Sequence, residues 1–178
     1  MTILVTGGLG YIGSHTVVEL LNNNFEVVII DDLSNTEKFI LKNIEEISGK
    51  KPIFYPFDLK RKELLKQVFD AHKIEGCIHF AAYKAVGESQ EKPIDYYENN
   101  LFSLINLLQE MKERNISNFI FSSSCTVYGQ ADTMPIDANT PLKLPESSYG
   151  KTKQMGEEIL KDFATAHHKK VTLLRYFN

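Results

Sequence analysis

The sequence predicts an α/β fold, a doubly wound parallel sheet with helices on both faces. Three observations carry that reading. Apolar, β-favouring runs and helical stretches alternate six times along the 178 residues, and right-handed crossovers turn such a pattern into an all-parallel sheet. An uncharged run, Ile3-Leu4-Val5, meets glycines at 7, 8, 10 and 13. A second apolar run ends in Asp31-Asp32, with Asp31 lying 18 residues beyond Gly13. The expected strand order is 3-2-1-4-5-6, with a ligand crevice at the carboxyl ends between strands one and four.

The first strand carries no charge, the pattern of a strand buried on both faces. Gly8-Leu9-Gly10-Tyr11-Ile12-Gly13 then reads G-x-G-x-x-G, and Gly7, Gly10 and Gly13 form a second frame, G-x-x-G-x-x-G. Glycine suits the positive φ of a sharp strand-to-helix turn and lets the backbone approach a phosphate. The helix expected from about Tyr11 to Asn23 has Ile12, Val17, Val18, Leu20 and Leu21 as its apolar face. Its free N–H groups and positive dipole end aim at a pyrophosphate. Such a glycine motif alone is a weak signal; a strand before it, a helix after it and an acid beyond strand two make it a dinucleotide site. Strand two is expected over Phe25 to Ile30. Asp31 at its edge suits the hydroxyls of an adenosine ribose and repels a 2′-phosphate, favouring NAD over NADP. The alternative for Asp31-Asp32 is a turn or helix cap.

Ser34 to Ser48 reads as a loop and then a helix, with Phe39, Ile40, Ile44 and Ile47 at helical spacing. Ile53 to Pro56 is a short third strand between two prolines. Asp58 beyond it either accepts from an adenine amino group or caps the next helix. That helix, Glu63 to His72, buries Leu64, Leu65, Val68 and Phe69. Gly76 to Phe80 is strand four, and Ala81-Ala82 let the backbone pass close to a cofactor. Asp95 to Arg114 is a long helix with Leu101, Leu104, Ile105, Leu107, Leu108 and Met111 as its core face. Asn118 to Phe121 is strand five, with Ser122-Ser123-Ser124 at its carboxyl edge. A loop over Gly129 to Ser147 leads into a helix from Ser148 to His168, and Val171 to Leu174 begins strand six. With no repeat, linker or low-complexity tract, residues 1–178 read as one domain.

Composition excludes several classes. At 43% apolar and 24% charged residues the chain is neither disordered nor membrane-spanning. A net charge of −3 and no basic stripe argue against a nucleic-acid surface. The first apolar run meets glycine after three residues and no 18-residue apolar run follows, so neither a signal peptide nor a membrane span is expected. Cys77 and Cys125 stand apart, outside any C-x-x-C spacing, as expected of free thiols in the cytoplasm. The histidines at 15, 72, 79, 167 and 168 show no metal-ligand pattern, so no metal is expected. His15 and His79 lie within apolar segments and are expected in or near the core.

Tyr149-Gly150-Lys151-Thr152-Lys153 contains Y-x-x-x-K. On a helix, residues i and i+4 share a face, so Tyr149 and Lys153 project together. A free tyrosine titrates near about 10. An ammonium beside it, together with a positive nicotinamide ring, is expected to bring the phenol into the working range of a base. Ser124, at the rim where open α/β sheets bind ligands, can hold a substrate hydroxyl and relay its proton to Tyr149. Ser122 and Ser123 read as caps of the strand end. No G-x-S-x-G elbow is present, which disfavours serine hydrolysis.

Those residues resemble the extended short-chain dehydrogenase/reductase superfamily, with its Rossmann cofactor domain: Gly7-Gly8-x-Gly10-Tyr11-Ile12-Gly13, Ser124 and Tyr149-x-x-x-Lys153. Longer stretches narrow the resemblance to the UDP-glucose (UDP-galactose) 4-epimerase family. These are His79-Phe80-Ala81, Lys84 to Ser89, Tyr96-Tyr97-x-Asn99-Asn100, Phe119 to Gly129 around Cys125, and Leu174 to Asn178. The related 4,6-dehydratases carry an acidic pair where this chain has Cys125 and Thr126.

The resemblance implies an isomerase of galactose metabolism, with NAD as a cofactor that is reduced and reoxidised within one turnover and a UDP-sugar as substrate. Tyr149, Lys153 and Ser124 would be catalytic. Gly7, Gly10, Tyr11, Ile12 and Gly13 would face the pyrophosphate. Asp31, Asp32, Leu33, Ser34, Asn35 and Thr36 would wrap the adenosine end, and Asp58 and Leu59 would flank adenine. Phe80, Ala81, Ala82, Tyr83, Lys84, Asn99, Ser122 and Phe177 would line the cofactor. Lys84, Ser124, Tyr149 and Asn178 would reach the substrate. The family also implies a homodimer through the two long helices. It carries a smaller substrate domain that this chain lacks, so the expectation is a cofactor domain that binds NAD and epimerises poorly alone.

Overall fold

The computed structural model describes residues 1–177; Asn178, expected at the substrate diphosphate, lies outside the described residues. Strand β1 (Thr2–Thr6) leads through the glycine turn into helix α1 (Tyr11–Asn22). Strand β2 (Glu26–Ile30), helix α2 (Phe39–Ser48), strand β3 (Ile53–Tyr55) and helix α3 (Lys62–Ala71) follow. Strand β4 (Ile74–His79), the short helix α4 (Val86–Glu91) and the long helix α5 (Pro93–Glu113) come next. Strand β5 (Asn118–Ser124) runs into a 3-10 turn at Cys125–Tyr128, and helix α6 (Ser148–His167) and strand β6 (Lys170–Tyr176) complete the fold. All pairings are parallel, and the strand order is β3-β2-β1-β4-β5-β6, as the alternation predicts.

Every residue of β1 is buried, because the strand is covered on both faces. Alternate side chains serve two cores. Ile3 and Val5 of β1 join Val27 and Ile29 of β2 against Val17 and Leu21 of α1 and Ile44 of α2. Leu4, Val28 and Ile30 point the other way, into a larger core with Leu65 of α3, Leu104 and Leu107 of α5, and Leu160 of α6. Each such fully buried aliphatic side chain contributes about 1.5–3 kcal/mol over its exposed state. Helices α1 and α2 therefore cover one face, and α3, α5 and α6 the other.

The structure departs from the sequence reading in four places. His15 is exposed, not in the core. The buried stripe of α1 is Gly13, Val17 and Leu21, and His15 falls on the opposite side, edge-on to Tyr11 at 5.3 Å. Phe39 and Ile47 of α2 are likewise exposed, and Ile44 alone of that helix is fully buried. Helix α4 was not foreseen, being only six residues long and too polar for a periodic signal. Finally, β5 continues through Ser124, so Ser122 and Ser123 belong to the strand instead of capping it; with Ser124 they pair with Leu174, Arg175 and Tyr176 of β6.

Candidate active site

The crevice is built at the carboxyl ends of β1 and β4. Gly7 leaves β1 with φ +67°, a conformation that L side chains rarely adopt, and a Cβ there would lie 2.6 Å from the Ala81 nitrogen. A Cβ at Gly13 would lie 2.1 Å from the Gly7 oxygen, so the start of α1 can pack on the turn only as glycine. Positive φ accounts for Gly7, while close packing accounts for Gly13. Gly10 differs again: a built Cβ would meet one atom only, the Gly7 oxygen at 3.3 Å, a tight contact with the turn's own backbone. Helix α1 begins there with no side-chain cap and no acid in its first turn. Its orphan N–H groups and positive end are thus left for an anion, and Tyr11 and Ile12 flank them, both exposed.

Asp31 closes the far side of this turn. Its Oδ2 accepts from the Leu9 N–H at 3.0 Å, and its Oδ1 from the Leu33 N–H and the Thr36 hydroxyl, both at 3.1 Å. It therefore braces the glycine turn and shapes the 31–36 loop. Three of about four acceptor sites on a carboxylate are used, which leaves one open. Asp32 is exposed and makes a local turn, accepting from both the N–H and the hydroxyl of Ser34. Leu33 adopts φ +62°, and Ser34 and Asn35 are exposed at the loop tip. Asp58 does not cap α3, whose N-cap is Arg61. It accepts from the Lys60 N–H at 2.8 Å and pairs with the Lys60 ammonium at 3.5 Å. Leu59 turns its side chain into the core and gives its carbonyl to Asn106.

The loop after β4 forms the opposite wall. The N–H groups of Phe80 and Ala81 both donate to the Thr6 carbonyl, at 3.0 and 3.2 Å, which presses the loop against the glycine turn. Ala82 and Tyr83 are half-buried and Lys84 is exposed. Asn99 of α5 is buried, and its amide donates to Asn100 Oδ1 at 3.2 Å.

Tyr149 and Lys153 start α6, whose first turn is capped by Ser147 Oγ accepting from the Gly150 N–H at 3.0 Å. The ammonium of Lys153 is buried. It donates to the Ser122 carbonyl at 2.7 Å, sits 4.8 Å from the Phe121 ring centroid and lies 5.8 Å from the Tyr149 ring. Burial pulls its pKa down to about 8. Tyr149 is raised above its ordinary value by burial, partly offset by the neighbouring Ser124 side chain. The Lys153 ammonium thus lies near the phenol ring while its hydrogen bond goes to a backbone carbonyl. Ser124 Oγ accepts from the Thr126 N–H at 3.3 Å. Phe177 is exposed and stacks on Tyr128 at 6.1 Å.

Behind these residues lies a polar layer that the sequence reading missed. Glu157 is wholly buried; it accepts from Ser123 at 2.5 Å and pairs with the Arg175 guanidinium at 2.9 and 2.7 Å. Arg175 also donates to the Tyr128 hydroxyl at 2.9 Å, and its pKa is raised, chiefly by Glu157. Asn100 and Thr152 form a second such pair. A signal existed: Glu157 follows Lys153 by four residues, on the same helical face. Polar residues on a core face mark partnered groups.

A parallel sheet with a glycine-bounded anion site and a Tyr-Lys helix across the crevice defines a dinucleotide-binding domain of dehydrogenase type. The chain belongs to the NAD dependent epimerase/dehydratase family, whose model matches residues 3–178. Over its whole length it is 48% identical to a UDP-glucose 4-epimerase of Yersinia enterocolitica and 49% identical to one of Bacillus subtilis. It spans about half the length of these curated relatives, 53% and 52%. The solved UDP-glucose 4-epimerase of Bifidobacterium longum, in complex with NAD⁺ and UDP, superposes on the entire chain with a TM-score of 0.98 at 44% identity, the chain covering 53% of it.

Proposed function

We propose that this chain is the NAD-binding half of a UDP-glucose 4-epimerase, interconverting UDP-galactose and UDP-glucose. The supporting observation is the convergence of Tyr149, Ser124 and Lys153 on the carboxyl rim, across from the uncapped start of α1. In this reading the first-turn N–H groups of α1 hold the pyrophosphate, and the remaining acceptor site of Asp31 takes a ribose hydroxyl. Phe80 to Lys84, Asn99, Ser122 and Phe177 line the groove. NAD, when bound, supplies a hydride acceptor that returns the hydride within the same turnover. Tyr149 removes the proton from the sugar 4-hydroxyl and returns it to the same oxygen, the inversion at C4 coming from the 4-keto sugar turning over in the pocket before hydride is returned to its other face. Ser124 orients that hydroxyl, and Lys84 and Asn178 reach the diphosphate.

Burial holds Tyr149 above its ordinary pKa, so proton removal needs positive charge beside the phenol. Lys153, charged below about 8, supplies part of it. Lys153→Met is expected to move the ascending, acid-side limb of the pH–rate profile to higher pH, because the phenol ionises less readily without that charge.

The domain alone is expected to bind NAD and to turn over slowly. The test is to load the protein with NAD, add UDP-galactose and follow reduction of the bound nucleotide. Reduction by the wild type, lowered at least about a hundredfold in Tyr149→Phe, supports the reading. Equal reduction in the two proteins contradicts it. A solved UDP-Glc/GlcNAc 4-epimerase of Campylobacter jejuni also superposes closely, with a TM-score of 0.94 at 35% identity over 99% of this chain and 53% of its own, so UDP-N-acetylglucosamine belongs in the same assay.

The protein is further proposed to work in the cytoplasm as a homodimer through α5 and α6. Among the described residues no helix is long and apolar enough to cross a membrane. Ile94 and Phe102 of α5 are exposed, as is Met155 of α6, which lines a hollow of about 510 Å³ together with Leu101 and Ile159. Sedimentation at increasing concentration tests the dimer.

A further inference from the structure

The geometry points to Asn100 as a positioning residue that fixes the Lys84 backbone across the crevice from Tyr149; this rests on the NAD-dependent reading above. Asn100 is 7% exposed and touches the site only through other residues. Its side-chain amide grips one residue of the crevice wall twice: Oδ1 accepts from the Tyr83 N–H at 2.8 Å, and Nδ2 donates to the Tyr83 carbonyl at 3.0 Å. That is the pairing a neighbouring strand would offer, supplied by a side chain to a segment with no strand beside it. It also sets the orientation of the amide, since only one arrangement satisfies both main-chain groups.

The second proton of Nδ2 goes to Thr152 Oγ1 at 3.0 Å, and the Thr152 hydroxyl donates to the Tyr149 carbonyl at 2.7 Å. One buried amide thus links the loop after β4, helix α5 and the first turn of α6. The next anchor along the loop is two residues on, where the Tyr96 hydroxyl accepts from the Ala85 N–H at 3.1 Å and donates to Glu88 at 2.9 Å. Lys84 lies between these anchors with an exposed side chain. Its backbone is held while its ammonium stays free to reach an anionic ligand. Asn99, the neighbour of Asn100, completes the set by donating to Oδ1.

Asn100→Asp is the sharpest probe, because it keeps size and shape but turns the Nδ2 donor into an acceptor facing two acceptors. The full chain is used, with two readouts: amide hydrogen exchange over residues 80–85, and NAD affinity by calorimetry. Asn100→Asp keeps an acceptor for the Tyr83 N–H but repels the Tyr83 carbonyl and Thr152 Oγ1, so it is expected to speed exchange across residues 83–85 at least about tenfold and weaken NAD binding about tenfold, with the amides of β1 and β4 unchanged. Thr152→Ser keeps the hydroxyl and should match the wild type; Thr152→Val should lie between. Faster loop exchange with unchanged NAD affinity would reduce Asn100 to a structural residue, and unchanged loop exchange would overturn the clamp outright. Should Asn100→Asp fail to fold, Thr152→Val, which cuts only the link to α6, carries the same test. A wild type that fails to bind NAD sinks the functional reading, while exchange at Tyr83 still decides for or against the clamp.

Discussion

The two halves of the sheet meet the crevice by different means. From β1 to β3 the working surface is backbone: a turn set by Gly7 and Gly13, the open N-terminus of α1, and one carboxylate, Asp31. From β4 to β6 it is side chains, most of them buried. Among the described residues, every buried polar side chain except Thr2, Thr6 and Asp31 lies at or beyond His79. The contrast also shows at the helix ends. Helix α1 is left uncapped where an anion belongs, whereas α6 is closed by Ser147 where Tyr149 and Lys153 must be held in register. A backbone site depends on what is absent, a Cβ or a cap. A side-chain site depends on every buried polar group finding its partner.

The largest effect expected of this difference is on the β4–β6 side. Glu157→Ala strands the Arg175 guanidinium and the Ser123 hydroxyl in a buried layer and should cost about 3–5 kcal/mol, read as a lower urea midpoint. A loss below about 1 kcal/mol would mean that the layer relaxes like a surface. Next comes Gly7→Ala, which adds a Cβ 2.6 Å from the Ala81 nitrogen at φ +67°. It should cost about 3 kcal/mol and abolish NAD binding, because the turn and the loop after β4 can no longer approach each other.

The division was unevenly legible in the sequence. The strand order, the glycine turn and the placing of Tyr149, Lys153 and Ser124 on the rim follow from spacing, because a 3.6-residue period and a glycine gap are local properties of the chain. The partners of Asn100 and Glu157 are not local: Asn100 meets Thr152 52 residues away, and Arg175 lies 18 residues beyond Glu157. Such pairs arise only once α5, α6 and β6 lie side by side. The direction of the Tyr149 shift was also out of reach, since it depends on how deeply the fold buries the phenol.

A smaller effect separates the halves by pH. His79, at the end of β4, is buried, shares a 2.7 Å hydrogen bond with Thr6, and has its pKa pushed down to about 3 by burial and then by the Lys153 charge. Its unfolded value is 6.5. The unfolded chain therefore takes up a proton that the fold refuses, and stability falls as pH drops from 6.5 toward 3. This group alone should account for about 2–3 kcal/mol lost between neutrality and roughly pH 4.5. His79→Asn, which keeps a partner for Thr6, should flatten that limb of the stability curve. An unchanged slope would show the histidine already protonated in the fold. The smallest effect belongs to the surface: Lys42→Met removes the exposed Lys42–Glu46 pair at 3.3 Å and should leave the Tm where it is.

The proposed function requires a nucleotide seated on the uncapped start of α1 and reaching the Tyr149 hydroxyl. The most direct measurement is mass spectrometry of what the purified protein releases on denaturation, paired with NAD titration of any empty fraction. One NAD per chain, released by the wild type and absent from Gly7→Ala, is the predicted result. A natively folded wild type that releases no nucleotide and takes up none on titration would contradict it.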